Sequence, residues 1–231
     1  MRGEMVMIFN MAHRGASGHE PENTIGAFER AIELGCDGIE TDVQLSKDGI
    51  PILIHDETVD RTTTNSGFVK DFTCSELRDM GIPSLEQLMI LAKLNHIVLN
   101  LELKNGIVLY KELEEKVIDI IKKYRMEQSV ILSSFNHQSM VKCKQIEASI
   151  MTGLLYIENL VQPEKYCKYV GADALHPHYR TVNKEMVEAA HERYMKVNVY
   201  TVNEEEDIQN MVEVGADMII SNYPDRVKKY L

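Results

Sequence analysis

The sequence predicts an α/β fold: a (β/α)8 TIM barrel with an antiparallel hairpin after its second strand and a small insertion at about residues 56–83. Three observations predict it. Short aliphatic runs alternate with longer segments of helical periodicity. Nine strand candidates reduce to eight once one is assigned to a hairpin. The length of 231 residues is close to the ~250 typical of such barrels.

The strand candidates lie at residues 7–12 (MIFNMA), 37–45, 51–55, 96–103, 129–134, 150–156, 172–177, 196–202 and 217–221. Between them, residues 24–34 read as a helix, with Thr24 as N-cap, Phe28, Ala31 and Ile32 on one face, and Gly35 as the stop. Residues 183–194 repeat the pattern with Met186, Val187, Ala190 and Tyr194. Only Ser46, Lys47, Asp48 and Gly49 separate the second and third candidates. A parallel crossover needs about a dozen residues, so these two form an antiparallel hairpin, with Asp48-Gly49 as its turn. The polar stretch DETVDRTTTNSGFVKDFT within 56–83 reads as an inserted loop. No linker or low-complexity segment divides the chain, so residues 1–231 read as one domain.

A net charge of −11 argues against nucleic acid or an anionic membrane as partner. It leaves room for an anionic small molecule where local cations or a metal offset the acidity. Cys36, Cys74, Cys143 and Cys167 form no CxxC pair, as expected of a reduced cytoplasmic protein with buried thiols. The start MRGEMVMIFNM does not resemble a signal peptide. No apolar run approaches the ~18–20 residues of a membrane-spanning helix, so no stable membrane insertion is expected. Self-association as a homo-oligomer is left open.

Chemistry gathers at the strand ends. Side chains alternate along a strand, so Ile39, Thr41, Val43 and Leu45 face the helices while Glu40, Asp42 and Gln44 face the barrel axis. A two-residue turn sets Ile54 opposite Val43 and His55 opposite Asp42, and a longer turn shifts this by a residue or two. Leu99, Leu101 and Leu103 likewise face outward, with Asn100, Glu102 and Lys104 inward. His13 and Arg14 end the first strand. Three inward carboxylates repel one another unless a cation compensates them. A hard divalent ion, Mg2+ or Ca2+, suits oxygen ligands. A purely structural network, in which Arg14 and Lys104 pair with the acids, explains the charges but not two histidines aimed at the same place.

The stretch HRGASGHEPENTIGAFERAIELGCDGIETDVQLSKDGIPILIHD resembles glycerophosphodiester phosphodiesterases. So do the later DRTTTNSG, LNLELK, SSFN, VNVYTVN and GADMIISNYPD. The resemblance implies a (β/α)8 barrel with a small insertion after the second strand. It makes Glu40, Asp42 and Glu102 the ligands of one divalent cation, His13 and His55 the acid/base pair, and Arg14 and Lys104 the holders of phosphate. Tyr200 stands where many members have Trp, and is expected to face inward beside Asn198. Phe135 is a substrate wall or barrel-top packing. The implied activity is metal-dependent hydrolysis of small-molecule glycerophosphodiesters, such as glycerophosphocholine or glycerophosphoethanolamine, to sn-glycerol 3-phosphate and an alcohol. Water and the substrate's own 2-hydroxyl are both open as nucleophile, and the division of acid and base between the histidines is open too.

Two rivals remain. A lysophospholipase D-like phosphodiesterase needs an apolar channel, and the insertion offers only the scattered Val59, Phe68, Val69 and Phe72. A non-catalytic barrel binding phosphorylated metabolites leaves the histidines and acids unexplained. Among other residues, His19 reads as surface, and His176 and His178 as structural or as lining the mouth. His96, His137 and His191 read as solvated or helix-end residues, and Cys36 as buried packing.

Overall fold

In the computed structural model, which describes residues 8–231, strands form where the aliphatic runs stand. They are β1 (Phe9–His13), β2 (Gly38–Leu45), β3 (Pro51–Leu53), β4 (Val98–Leu103), β5 (Val130–Ser134), β6 (Met151–Tyr156), β7 (Ala174–Pro177), β8 (Lys196–Val199) and β9 (Met218–Ser221). Met7 of the first candidate, and the leader reading of residues 1–7, lie outside the described residues. The helices are α1 (Ile25–Glu33), α2 (Cys74–Asp79), α3 (Leu85–Asn95), α4 (Leu113–Tyr124), α5 (His137–Ile146), α6 (Pro163–Val170), α7 (Lys184–His191), α8 (Glu205–Glu213) and α9 (Pro224–Val227).

Eight strands close into a parallel barrel. β1 pairs with both β2 and β9, and the circuit runs on through β8, β7, β6, β5 and β4 back to β2. Strand faces divide as the alternation requires. Ile39, Val43, Leu99, Leu101 and Leu103 are buried in one apolar cluster with Leu88, Met89, Val117 and Ile121 of the helices. The register sets His13 beside Glu40, Glu40 beside Asn100 and Asp42 beside Glu102. The inward polar residues of three neighbouring strands thus arrive at the same level.

β3 lies outside the circuit, antiparallel to β2, with Val43 opposite Leu53 and Leu45 opposite Pro51. The two-residue turn is therefore one residue too short. Ser46 N–H donates to Ile50 O (3.0 Å), enclosing Lys47, Asp48 and Gly49. Gly49 takes the left-handed φ of 74° that ends a three-residue hairpin loop. Leu53, not Ile54, faces Val43. β3 stops there, and His55 follows it on irregular chain.

Thr24 caps α1, its Oγ1 accepting from Ala27 N–H (3.2 Å). The α7 pattern overreaches, because the helix ends at His191. Tyr194 then turns into the left-handed region at φ 59° and is 98% exposed rather than on the apolar face. The polar-looking insertion is also more than a loop. It holds α2, capped by a reciprocal Thr73–Glu76 box, over a small core of Ile52, Ile54, Val59, Val69, Leu77 and Ile82.

Candidate active site

The site begins at the ends of β1, β2 and β4. Oxygens of Glu40, Asp42 and Glu102 lie within 4.8 Å of one another. Glu40 and Asp42 are buried and Glu102 nearly so. Arg14 stands beside them in a left-handed conformation (φ 55°) that aims its backbone N–H at Glu40 Oε2 (3.1 Å). Gly15 follows because the turn admits no side chain there: a Cβ would sit 2.7 Å from the Ala27 carbonyl carbon.

The cations are near but do not saturate the acids. Arg14 Nε is 3.2 Å from Asp42 Oδ2, and Lys104 Nζ donates to Glu102 Oε1 (3.0 Å). Lys104 is 3.7 Å from Asp42 Oδ1, too far for a hydrogen bond, and that buried oxygen has no partner in the protein. Burial opposes a charge on Asp42, but Arg14 and Lys104 outweigh it and hold this carboxyl below the usual range. The others move the opposite way. Burial, then the neighbouring Asp42, pushes Glu40 well up, and the same two causes raise Glu102. Burial works against the charge of Lys104, yet Glu102 and Asp42 hold its pKa above the ordinary value. Three hard oxygen donors, one of them orphaned, and two acids that resist ionising together fit a divalent cation.

His13 and His55 flank the cluster. His13 Nδ1 donates to Asn222 Oδ1 (2.6 Å), and its Nε2 points toward Glu40 Oε2, 3.9 Å away. Burial, with Arg14 adding to it, lowers the His13 pKa to about 4. His55 Nδ1 donates to Asp56 Oδ1 (2.6 Å). Arg61 in turn holds the Asp56 carboxyl far below the usual range. Each imidazole thus has Nδ1 tied and Nε2 left over.

Sequence reasoning missed the residues that hold these groups in place. Asn23 Nδ2 donates to Asp42 Oδ2 (2.9 Å) and its Oδ1 accepts from Thr41 (2.6 Å). Gln44 Nε2 feeds the carbonyls of Ile54, His55 and Asp56 at 3.1, 3.2 and 2.6 Å, and Ser17 joins His13 and Asn222. A polar residue directly after a barrel strand was the available signal for Asn222. Gln44 was already legible as inward-facing.

The remaining candidates divide. Tyr200 lies at the mouth with its ring edge-on to Phe135 (centroids 6.2 Å apart). Its hydroxyl is engaged, donating to Tyr156 O (3.0 Å). His19 pairs with Asp225 at the surface (2.9 Å). His176 is buried against Asn198 (2.8 Å), where burial lowers its pKa to about 3, whereas His178 packs on Tyr179 and Tyr200. His96 caps α3 and His191 ends α7 beside Asp217. His137 begins α5, yet binds Leu155 O (2.9 Å). Cys36 is buried, its thiol pushed up to about 12.

The space around the cluster is uneven. The cavity bounded by His13, Glu40, Asn100, Glu102 and Tyr200 is about 20 Å³, near the size of one water or an ion. Leu155 lines it and also lines an adjoining groove of about 600 Å³ with Phe135, Tyr156, Leu160, Val161 and Tyr166. Among the described residues no helix is long and apolar enough to cross a membrane.

Residues 13–226 match the model of the glycerophosphoryl diester phosphodiesterase family. A glycerophosphodiester phosphodiesterase of Caldanaerobacter subterraneus subsp. tengcongensis is 45% identical over 228 residues, covering 93% of this chain and 94% of that relative. Among solved structures, an Oleispira antarctica phosphodiesterase in complex with the product sn-glycerol-3-phosphate is 27% identical at TM-score 0.83, with 95% of each chain covered. A glycerophosphodiester phosphodiesterase from Thermotoga maritima, 24% identical and covered in full like this chain, shares the barrel at TM-score 0.81.

Proposed function

The chain belongs to the glycerophosphoryl diester phosphodiesterase family, and from that premise we propose that it hydrolyses glycerophosphodiesters to sn-glycerol 3-phosphate and an alcohol. Glu40, Asp42 and Glu102 hold one divalent cation, Mg2+ or Ca2+, and the orphaned Asp42 Oδ1 is the observation that carries this. When bound, the cation supplies positive charge against the phosphate oxygens. Arg14 and Lys104 add theirs at the same group and stabilise charge that grows toward the transition state.

The histidines differ in their partners, and we read their roles from that difference. His13 rests on the neutral amide of Asn222 and is held low, so its Nε2 is available to take a proton from water or from the glycerol 2-hydroxyl. A ring carrying both protons finds a counter-charge in Asp56, which suits His55 to protonate the departing alkoxide. Phe135 and Tyr200 form the apolar wall beside the substrate. The unbroken family match and four unpaired thiols support one domain in a cytoplasmic setting.

A coupled glycerol-3-phosphate assay tests the reading. Glycerophosphocholine or glycerophosphoethanolamine is turned over with Mg2+ or Ca2+, and chelation abolishes turnover. Full activity after exhaustive chelation removes the cation from the account.

The groove favours a second reading, hydrolysis of a lysophospholipid. Ile107 and Leu109 after β4, Phe135 after β5, and Ile157, Leu160 and Val161 after β6 are large apolar side chains exposed on three neighbouring loops. The apolar surface sought in the insertion stands here instead. Choline release from lysophosphatidylcholine, impaired in Leu160→Asp while glycerophosphocholine turnover persists, supports this reading. No release dismisses it.

A further inference from the structure

Arg61 belongs to the insertion, but its guanidinium touches both sides of the site. Nε and one terminal nitrogen donate to Asp56 Oδ2 (2.7 Å) and Oδ1 (3.1 Å). The same terminal nitrogen and its twin donate to Glu22 Oε1 (2.7 Å) and Oε2 (2.9 Å). Each carboxylate then passes the contact inward. Asp56 Oδ1 accepts from His55 Nδ1 at 2.6 Å, and Glu22 Oε1 accepts from Arg14 at 3.1 Å. Arg14 closes on Asp42 at 3.2 Å. A continuous polar chain therefore joins His55, through Asp56, Arg61, Glu22 and Arg14, to the carboxylate cluster.

We propose that Arg61 is a positioning residue that fixes the His55–Asp56 pair relative to Arg14, so that the proton donor and the phosphate-binding guanidinium face one substrate at a set separation. The inference rests on the phosphodiesterase reading of His55 and Arg14. Its physical basis is the position of His55. The last backbone bond of the hairpin to β2, Ile54 N–H to Asp42 O (3.1 Å), stops one residue short of His55, so no ladder bond orients the His55 ring, and Asp56 is itself a loop residue. Arg61 supplies the missing brace by binding the loop after β3 to the loop after β1.

Folding stability is not the reason for such a group. The Arg61 side chain is 49% exposed, and ion pairs of that kind add little to stability. Its value is geometric, because a planar fork engages two carboxylates by two nitrogens each, which the point charge of a lysine does not do. Reacting groups need such placement: a misplacement of about 1 Å can cost about 100-fold in rate.

The test compares Arg61→Ala and Arg61→Lys with the wild-type, metal-loaded enzyme on two diesters. One is glycerophosphocholine, whose alkoxide needs a proton to leave. The other is a glycerophosphodiester of p-nitrophenol, whose phenolate leaves without one. Arg61→Ala should lower kcat on glycerophosphocholine by about 10–100-fold, with KM changed less and Tm within about 3 °C. On the nitrophenyl ester the loss should be under about threefold. Arg61→Lys should recover only part of the difference, and added methylguanidinium should restore activity to Arg61→Ala. A kcat on glycerophosphocholine within twofold of wild type, or equal losses on both diesters, overturns the proposal. A wild type that turns over neither diester overturns the phosphodiesterase reading itself, so the two failures are told apart.

Discussion

His13 ends a strand of the closed barrel, whereas His55 stands two residues beyond β3 on a hairpin that lies outside it. Their settings differ accordingly. β1 is paired on both sides, with β2 and with β9, and Asn222 reaches His13 from the chain just after β9. Backbone ladders therefore carry His13 to the site, and Asn222 has only to hold its ring. His55 is placed by side chains: Gln44 draws in the carbonyls around it, Asp56 takes its Nδ1, and Arg61 braces Asp56. The barrel supplies one of the two proposed catalytic imidazoles as architecture, and the hairpin supplies the other through a polar latch.

The largest effects should come from removing the imidazoles themselves. His13→Ala and His55→Ala should each lower kcat on glycerophosphocholine by about 10²–10⁴-fold. They should separate on the p-nitrophenyl ester, where His55→Ala recovers toward wild type and His13→Ala does not. If both variants respond alike to the two diesters, the division into base and acid fails.

Next in size is the carboxylate cluster that both histidines face. Burial and Asp42 raise Glu40, and the same causes raise Glu102. The folded, metal-free protein thus holds protons that the unfolded chain has released above its ordinary carboxyl pKa of ~4.3. The contribution of these two acids to the stability of the metal-free protein then falls as pH rises from that value through the raised ones. His13 and His176, held low by burial, contribute in the opposite sense up to the ordinary histidine value of ~6.5. The Tm difference between Glu40→Gln and wild type, measured across pH in chelator, should grow toward neutrality, and saturating Mg2+ should remove it. Glu40→Gln should raise the metal-free Tm at pH 7 while abolishing turnover. A difference that stays constant over this range would falsify the assignment of the strain to these acids.

The difference between the two histidines also explains what could be read from the sequence. Strand periodicity is a local signal, so the nine strands, the inward acids and the convergence of β1, β2 and β4 were legible in the order of residues. The return of His55 to the acids was legible too, but its register was not. A left-handed Gly49 adds one residue to the turn, and nothing in Asp48-Gly49 alone distinguishes a two-residue from a three-residue loop. The latch was hidden for another reason. Arg61 meets Glu22 across 39 positions, and His13 meets Asn222 across 209. Such pairs become neighbours only after the barrel has closed. The core of the insertion escaped because Val59, Val69, Leu77 and Ile82 are scattered among polar residues and meet Ile52 and Ile54 only once the chain has folded back on β3. Tyr194 fitted the periodicity of α7 but lies beyond its end.

The smallest effect tests the latch at its far end. Tyr110 donates its hydroxyl to Gln44 Oε1 (3.0 Å), which fixes the amide so that its nitrogen meets the three carbonyls around His55. Gln44 is buried, so Tyr110→Phe leaves its oxygen without that donor, at a cost of about 1 kcal/mol in stability. Turnover should fall by about twofold, because the amide keeps its other bonds and the backbone at His55 loosens only slightly. A double-mutant cycle shows where the loss acts. In a His55→Ala background Tyr110→Phe should lower kcat no further, since the ring it helps to place is gone. In a His13→Ala background it should still take its full share, since His13 is placed by ladders that Tyr110 does not touch. An equal loss in both backgrounds would mean that the two histidines share one support.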